Sequence, residues 1–155
     1  MVAWFKSRQG TPEPAGEAEV VRAFGTDEPT LSREGVTVEG EHWQVVAGEG
    51  QTVRLFEFVL PGLEQCLLTY RASLTSEGLT GKAYLEMWCR IPGRGEFFSR
   101  GLAQPLTGTT SWAAFETPFV LKKGQRADLV KLNVVVEGAG TIGIKDVQLL
   151  AAPLV

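Results

Sequence analysis

The fold class of this chain is decided by a stretch in its middle, which reads CLLTYRASL from Cys66 to Leu74. Alternate positions hold Cys, Leu, Tyr, Ala and Leu, and the positions between them hold Leu, Thr, Arg and Ser. Successive side chains of a β-strand point to opposite faces, so this period of two predicts a strand with one face in a core. Residues 83–91 and 130–136 alternate in the same way, and no comparable helical pattern appears.

Short apolar segments separated by turn residues continue along most of the chain, which contains 18 Gly and 8 Pro. Many strands with one apolar face each need a second sheet to cover that face. The sequence therefore predicts an all-β fold, an antiparallel two-sheet β-sandwich, with a closed barrel as the alternative. The predicted strands are 19–24, 36–39, 42–47, 51–60, 65–74, 82–91, 97–102, 111–120, 128–136 and 141–150.

The positions of the two cysteines relative to each other can be predicted if the strands that contain them form a hairpin. Residues 77–81 read EGLTG, which favours a hairpin. If Ser73 and Lys82 are opposite each other in it, Cys66 lies opposite Cys89, and both point into the core. Two buried free thiols are one interpretation. A cross-strand disulfide is the other, because directly opposed residues have suitable Cα separations.

Length and composition indicate one globular domain. The 155 residues suit a single core, and 44% apolar with 21% charged residues is typical of a folded chain. Residues 7–19 contain Pro, Gly and Glu but no large apolar side chain. We therefore expect a flexible leader over 1–18 and a single β-sandwich domain over 19–155.

Charge and hydropathy exclude two classes of partner. A formal charge of -3 provides no positive field to hold a phosphate backbone, so we expect no nucleic acid partner. No apolar run approaches the roughly 20 residues that cross a bilayer, so we expect no membrane insertion. The first residues, MVAWFKSR, place their positive charges after the apolar stretch, unlike a secretory signal. The compartment stays open, since the chain can be a part of a longer protein.

The sequence offers little support for catalysis, and we expect no enzyme. His42 is the single histidine, and no serine stands in a G-x-S-x-G elbow. Residues 138–143 match the G-x-G-x-x-G spacing of dinucleotide sites, but a strand pattern follows where that motif requires a helix. They indicate a glycine-rich hairpin between the last two strands instead. A hydrolase or lyase would need an acid and a base clustered in a cleft.

The outward face of residues 84–90 is the candidate binding surface. Aromatic rings offer flat apolar faces for the C–H surface of a sugar, while Arg and Glu hydrogen-bond to hydroxyls. The same residue types anchor protein interfaces, and the leader with Trp4 and Phe5 can also cover this face. The predicted ligand-binding residues are Tyr84, Glu86, Trp88 and Arg90, with Arg71 beside them and Arg100 following in the next segment.

Residues 68–150 resemble the galactose-binding-like jelly-roll sandwiches that include many carbohydrate-binding modules. The pieces that carry the resemblance are LTYRA at 68–72, GKAYLE at 81–86, GTTSW at 108–112, VVVEGAGT at 134–141 and the closing strand IKDVQL at 144–149. The resemblance implies a jelly roll and a non-catalytic module that binds carbohydrate. The alternative is a protein-interaction or structural accessory domain with no small-molecule ligand. In either case we expect a monomer or a weak homo-oligomer. Residues 86–102 also look like a bacterial subgroup of uncharacterised domains, often attached to larger proteins.

The resemblance also implies roles for two residues outside the binding face. Many family members hold a structural calcium at a late Asp, matched here by Asp146, and no other cofactor is expected. This chain departs from the family pattern at Gly143, where many members have an aromatic residue, and at Lys145, where they have a carboxylate. Trp112 matches a tryptophan that usually packs at one end of the sandwich rather than contacting ligand.

Overall fold

The computed structural model describes residues 12–154, and the described part contains strands and no helix. Each predicted strand overlaps an observed one, and the two predicted over 65–74 and 82–91 are the halves of a single strand. No helix in this part of the chain is long and apolar enough to cross a membrane. The strands are β1 Glu19–Phe24, β2 Val36–Glu39, β3 His42–Ala47, β4 Gln51–Leu63, β5 Cys66–Ile91, β6 Gly95–Arg100, β7 Leu106–Leu121, β8 Ala127–Glu137 and β9 Gly140–Pro153.

The strands pair antiparallel throughout and form two layers. We name the first layer sheet I. One edge of β9 pairs with β1 and β3 in this sheet, and the other edge pairs with residues 66–77 of β5. β2 extends this sheet beyond β3, and β7 extends it beyond β5. We name the second layer sheet II. In it, β8 lies between β4 and residues 82–90 of β5, and the other edge of this part of β5 pairs with β6. Over residues 12–154 the strand path ends at β2 and β4, which excludes the closed barrel.

The hairpin predicted at 77–81 is wrong, because β5 crosses there from sheet I to sheet II. Ser73 pairs with Lys145 of β9, whereas Lys82 pairs with Glu137 of β8. Gly81 has a φ of 82°, and a Cβ on it would lie 1.9 Å from the Glu137 carbonyl oxygen. Only glycine allows the strand to bend this close to its neighbour.

The glycine-rich hairpin predicted between the last two strands is also wrong. β8 pairs within sheet II and β9 within sheet I, so residues 138–139 form a second crossing between the layers. The two crossings touch, since the Thr80 amide donates to the Ala139 carbonyl at 2.8 Å. A Cβ on Gly138 would lie 1.7 Å from the Thr80 carbonyl oxygen. The glycines therefore allow close packing of the backbone where the two crossings meet.

The core lies between the layers and contains the alternating residues predicted to face inward. Tyr70 and Leu74 of sheet I and Leu85 and Met87 of sheet II are all almost completely buried. The Tyr70 hydroxyl donates a hydrogen bond across the core to the Asn133 carbonyl oxygen of β8, at 3.1 Å. Burial raises the pKa of the Tyr70 hydroxyl well above its ordinary value, so the group stays protonated.

The two cysteines reach this core from opposite sheets rather than from neighbouring strands of a hairpin. Cys66 lies at the start of β5 in sheet I, and Cys89 lies near its end in sheet II. Both are buried and both are free thiols. Burial raises the pKa of Cys66, and it raises the pKa of Cys89 to about 12. They fill the core as small apolar side chains.

Most of the predicted leader, including Trp4 and Phe5, lies outside the described residues. Its described part contacts the end of the domain, where the Ala15 amide donates to the Pro153 carbonyl at 2.7 Å. The boundary between residues 18 and 19 stays a prediction.

Candidate functional site

A shallow groove of about 340 Å³ crosses the outer surface of sheet II, where the outward residues of 84–90 were predicted to bind. The strand register forms its rows, because Glu86 lies between Asn133 of β8 and Arg100 of β6. Trp88 lies in the next row between Lys131 and Phe98. Register across β8, β5 and β6 therefore assembles a surface from residues that are far apart in the sequence.

Glu86 forms the floor of this groove rather than projecting from it. Its side chain is only 7% exposed. One carboxylate oxygen accepts hydrogen bonds from the Trp88 indole N–H at 3.0 Å and the Asn133 amide at 2.9 Å, and the other accepts from Arg100 Nε at 2.8 Å. Burial acts to raise the pKa of this carboxyl, but the hydrogen bonds from Asn133, Arg100 and Trp88 outweigh it and hold the pKa below its ordinary value.

Trp88 is half-buried, and its ring is fixed from two sides. The hydrogen bond to Glu86 sets the direction of the indole, and the Phe98 ring lies against it with centroids 5.2 Å apart. The Arg100 guanidinium in turn lies 4.1 Å above the Phe98 centroid. An aromatic surface held this way loses little conformational entropy when a ligand covers it.

Tyr84 and Arg90, at either end of the predicted set, already have partners within the protein. Tyr84 is 6% exposed, and its hydroxyl donates to Glu137 at 2.9 Å. Burial and this bond raise the pKa of Tyr84. Arg90 is exposed, but its guanidinium forms a two-point pair with Asp128 at 2.9 and 3.0 Å, which lowers the pKa of that carboxyl.

The placement of Arg71 beside this face is wrong. Arg71 belongs to the sheet I half of β5, where it pairs with Gln148 of β9 and Glu116 of β7. Its guanidinium forms an ion pair with Glu116 at 3.1 Å. Because β5 changes sheets between Arg71 and Trp88, the two side chains lie on opposite outer surfaces of the sandwich.

Sequence reasoning missed the groove residues of β4, β8 and the start of β6. Arg54 of β4 lies opposite Asn133, and within residues 12–154 its guanidinium forms no hydrogen bond or salt bridge. Lys131 of β8 pairs with Glu96 at 2.9 Å, and Glu57 completes the charged rim. The outward parity of Lys131 was visible in the sequence, but the pairing of β8 with β5 was not.

The groove places both hydrogen-bond donors and hydrogen-bond acceptors around the Trp88 indole, whose orientation is fixed. Arg54 and Lys131 offer donors, while Glu57 and Glu96 offer acceptors, and the charge of Glu86 is balanced by its ion pair with Arg100. The lowered pKa of Glu86 is opposite to what a general acid needs. The arrangement suits a neutral ligand with many hydroxyl groups and an apolar face.

Asp146 has a backbone role that the resemblance did not imply. It adopts a φ of 53° at a bulge, where the pairing of β9 with β5 shifts register. Asp tolerates this left-handed conformation better than most residues. Over the described part of the chain, no group of three or more His, Cys, Asp or Glu side chains is placed to hold a metal ion. Calcium binding at Asp146 stays a prediction.

No protein-family model matches the sequence, and no curated protein matches it. Solved structures do resemble it. The CBM22-1 xylan-binding domain of Xyn10C from Paenibacillus barcinonensis superimposes with a TM-score of 0.55 at 11% identity, over 93% of this chain and 100% of that domain. The xylan-binding module CBM15 gives 0.52 at 16% identity, over 91% of this chain and 100% of the module.

An enzyme resembles the chain as well. The Stig cyclase Fisc from Fischerella sp. TAU gives a TM-score of 0.51 at 13% identity, over 95% of this chain and 80% of that one. Likenesses at such identities show the fold, and the predicted jelly-roll β-sandwich of the carbohydrate-binding modules is confirmed. A fold that carries both binding modules and a cyclase does not decide function.

Proposed function

We propose that this chain is a non-catalytic module that binds a carbohydrate in the groove of sheet II. The observation that carries the proposal is the half-buried Trp88 indole, which a hydrogen bond of 3.0 Å fixes over the buried Glu86 carboxylate. Two xylan-binding modules share the fold, which supports the same class of function.

In this proposal the exposed face of the indole receives the C–H surface of one sugar ring. Arg54 and Lys131 donate hydrogen bonds to ring and hydroxyl oxygens, and Glu57 accepts from hydroxyl groups. Glu86 and Arg100 act as positioning residues, because they hold the indole and the neighbouring Phe98 ring in place and do not make the main contact with the sugar. Tyr84 and Arg90 border the site and keep their partners Glu137 and Asp128.

Calorimetric titration with a panel of soluble polysaccharides and oligosaccharides tests the proposal. We expect saturable binding to at least one glycan, weakened tenfold or more in Trp88→Ala and severalfold in Arg54→Ala. Arg71→Ala is the matched control, since it removes an arginine from the other surface and leaves binding unchanged. Thermal unfolding checks that each variant is folded.

Two outcomes contradict this assignment. One is the absence of binding across the panel. The other is a glycan that binds with equal affinity to the wild type and to both folded groove variants, since the ligand then contacts another surface.

A second candidate function is a protein interface along β6. Within residues 12–154 β6 pairs with β5 alone, so its other edge has no strand partner. Phe97 and Phe98 on it are 42% and 50% exposed. An unpaired edge with aromatic side chains favours association with another chain. Self-association that rises with concentration and is lost in Phe97→Ser, measured by sedimentation, would favour this function.

A further inference from the structure

The outer surface of sheet I carries a groove of its own, of about 480 Å³, on the side of the sandwich opposite Trp88. Strand register places Gln44, Gly143 and Thr75 in one row across β3, β9 and β5. Thr141 and Glu77 lie opposite each other in a neighbouring row. Gly143 has no side chain, which leaves space over the middle of the sheet for a neighbouring ring.

Trp112 of β7 lies beside this groove, because its indole reaches over β5 to Gly143 of β9. A Cβ on Gly143 would lie 2.9 Å from the Cη2 atom of Trp112, so the indole occupies the space that the glycine leaves. Lys145 places its ammonium 4.3 Å from the ring centroid, and the His42 ring meets the indole edge-on with centroids 5.2 Å apart. The indole is 37% exposed.

The hydroxyl groups of the lining are oriented by the backbone. Thr75 donates its proton to the Thr110 carbonyl at 2.6 Å, and Ser76 donates to the Gly108 carbonyl at 2.9 Å. Their oxygen lone pairs are therefore left as acceptors. Gln44 and Glu77 form no side-chain hydrogen bond or salt bridge to any residue between 12 and 154.

We infer that this groove is a second binding site, and that its ligand is a neutral saccharide. Acceptor oxygens from Thr75 and Glu77, with the Gln44 amide as donor and acceptor, match the hydroxyl groups of a sugar. Glu77 is the one carboxylate among the lining residues, and the Lys145 ammonium lies beside them over Trp112, so no cluster of like charges selects an ionic ligand. The exposed part of Trp112 supplies an apolar contact beside them.

The second site stands independently of the first. The two grooves share no lining residue, and they face opposite directions on the sandwich. A chain that binds at both surfaces holds two saccharides at once.

His42 provides a specific probe because it is the only histidine in the chain and lines the second groove. With any purification tag removed, the imidazole signals in NMR spectra therefore report on this groove alone. We expect these signals to shift saturably when a neutral oligosaccharide is titrated, and to shift equally in Trp88→Ala. Combined Gln44→Ala and Glu77→Ala substitutions should weaken the binding seen by His42 tenfold or more. Glu19→Ala, at the exposed start of β1, is the control and should leave this binding unchanged.

The result separates the two proposals. If the Trp88 indole N–H signal moves and the His42 signals do not, the second site is overturned while the first survives. If the His42 signals move while the Trp88 signal does not, the first site is overturned while the second survives. If neither the Trp88 signal nor the His42 signals move across the oligosaccharide panel, both sites are overturned.

Discussion

Tyr70 and Asn133 connect the two layers of the sandwich to the groove. The Tyr70 hydroxyl donates from sheet I to the Asn133 backbone carbonyl, and the Asn133 side chain donates to Glu86 on the outer surface of sheet II. One residue of β8 therefore takes part both in the core and in the floor that holds Trp88. The position of the candidate site depends on how well the core beneath it is packed.

Replacing Tyr70 with Phe should lower the free energy of unfolding by about 1 kcal/mol, because a buried hydrogen bond between the layers is lost. Denaturant unfolding measures this as a lower midpoint with an unchanged slope. Tyr84→Phe is the matched control, since the Tyr84 hydroxyl binds Glu137 near the surface and its loss should cost less. An equal or larger loss in Tyr84→Phe would contradict the role given to Tyr70.

Glu86→Gln should destabilise the protein by about 1–3 kcal/mol near neutral pH, because charge-assisted hydrogen bonds to a buried carboxylate are lost. The pKa of Glu86 is lower in the folded state than in the unfolded chain, so its contribution is present above the unfolded value of about 4.3 and is lost as pH falls through the folded value. The difference in unfolding free energy between wild type and variant should be constant above pH of about 5 and shrink below it. A difference that grows on acidification would contradict this sign.

Gly143→Ala should lower the free energy of unfolding by about 1–3 kcal/mol, since the added Cβ would lie 2.6 Å from Thr75 Cγ2 and 2.9 Å from the Trp112 ring. The indole is expected to swing away, which removes its ring-current effect on the NMR signals of His42. Gly48→Ala is the control, because a Cβ at Gly48 meets no atom within 4 Å. Unchanged His42 signals in Gly143→Ala would show that Trp112 does not occupy this space.

Neither thiol should react with a disulfide reagent in the native protein. The raised pKa values of Cys66 and Cys89 keep both thiols protonated, and the thiolate is the reactive form. Two thiols per chain should react at once in denaturant without any reductant, since both are free. A chain that releases no thiol until it is reduced would contain a disulfide and contradict the structure.

The sequence predicted the core better than the connections between strands. The alternation through Tyr70 and Leu85 identified the inward faces correctly, because the period of two is a local property of a strand. The hairpin at 77–81 failed because the partners of β5 are β9 and β8, which are far away in sequence. A local turn signal does not tell whether a chain reverses within a sheet or passes to the next layer.

The same limit applies to the candidate site. Trp88 could be assigned to an outer surface from parity alone, but Arg54 and Lys131 join it only through pairings that no local pattern contains. Glu86 shares the parity of Trp88 and is nevertheless buried, because the indole and Arg100 lie over it. Parity gives the side of a sheet, and neighbouring strands decide how deep a side chain lies on that side.

The pairing of β9 has a consequence for how this domain is made in a cell. β9 is the last strand described, and β1, β3 and the first half of β5 all pair with it. A nascent chain that still lacks β9 has no central strand for sheet I, and the apolar faces of the other strands of that sheet stay exposed to water. Folding of this layer must therefore wait until residues 140–153 have been translated, and the growing chain is open to aggregation until then.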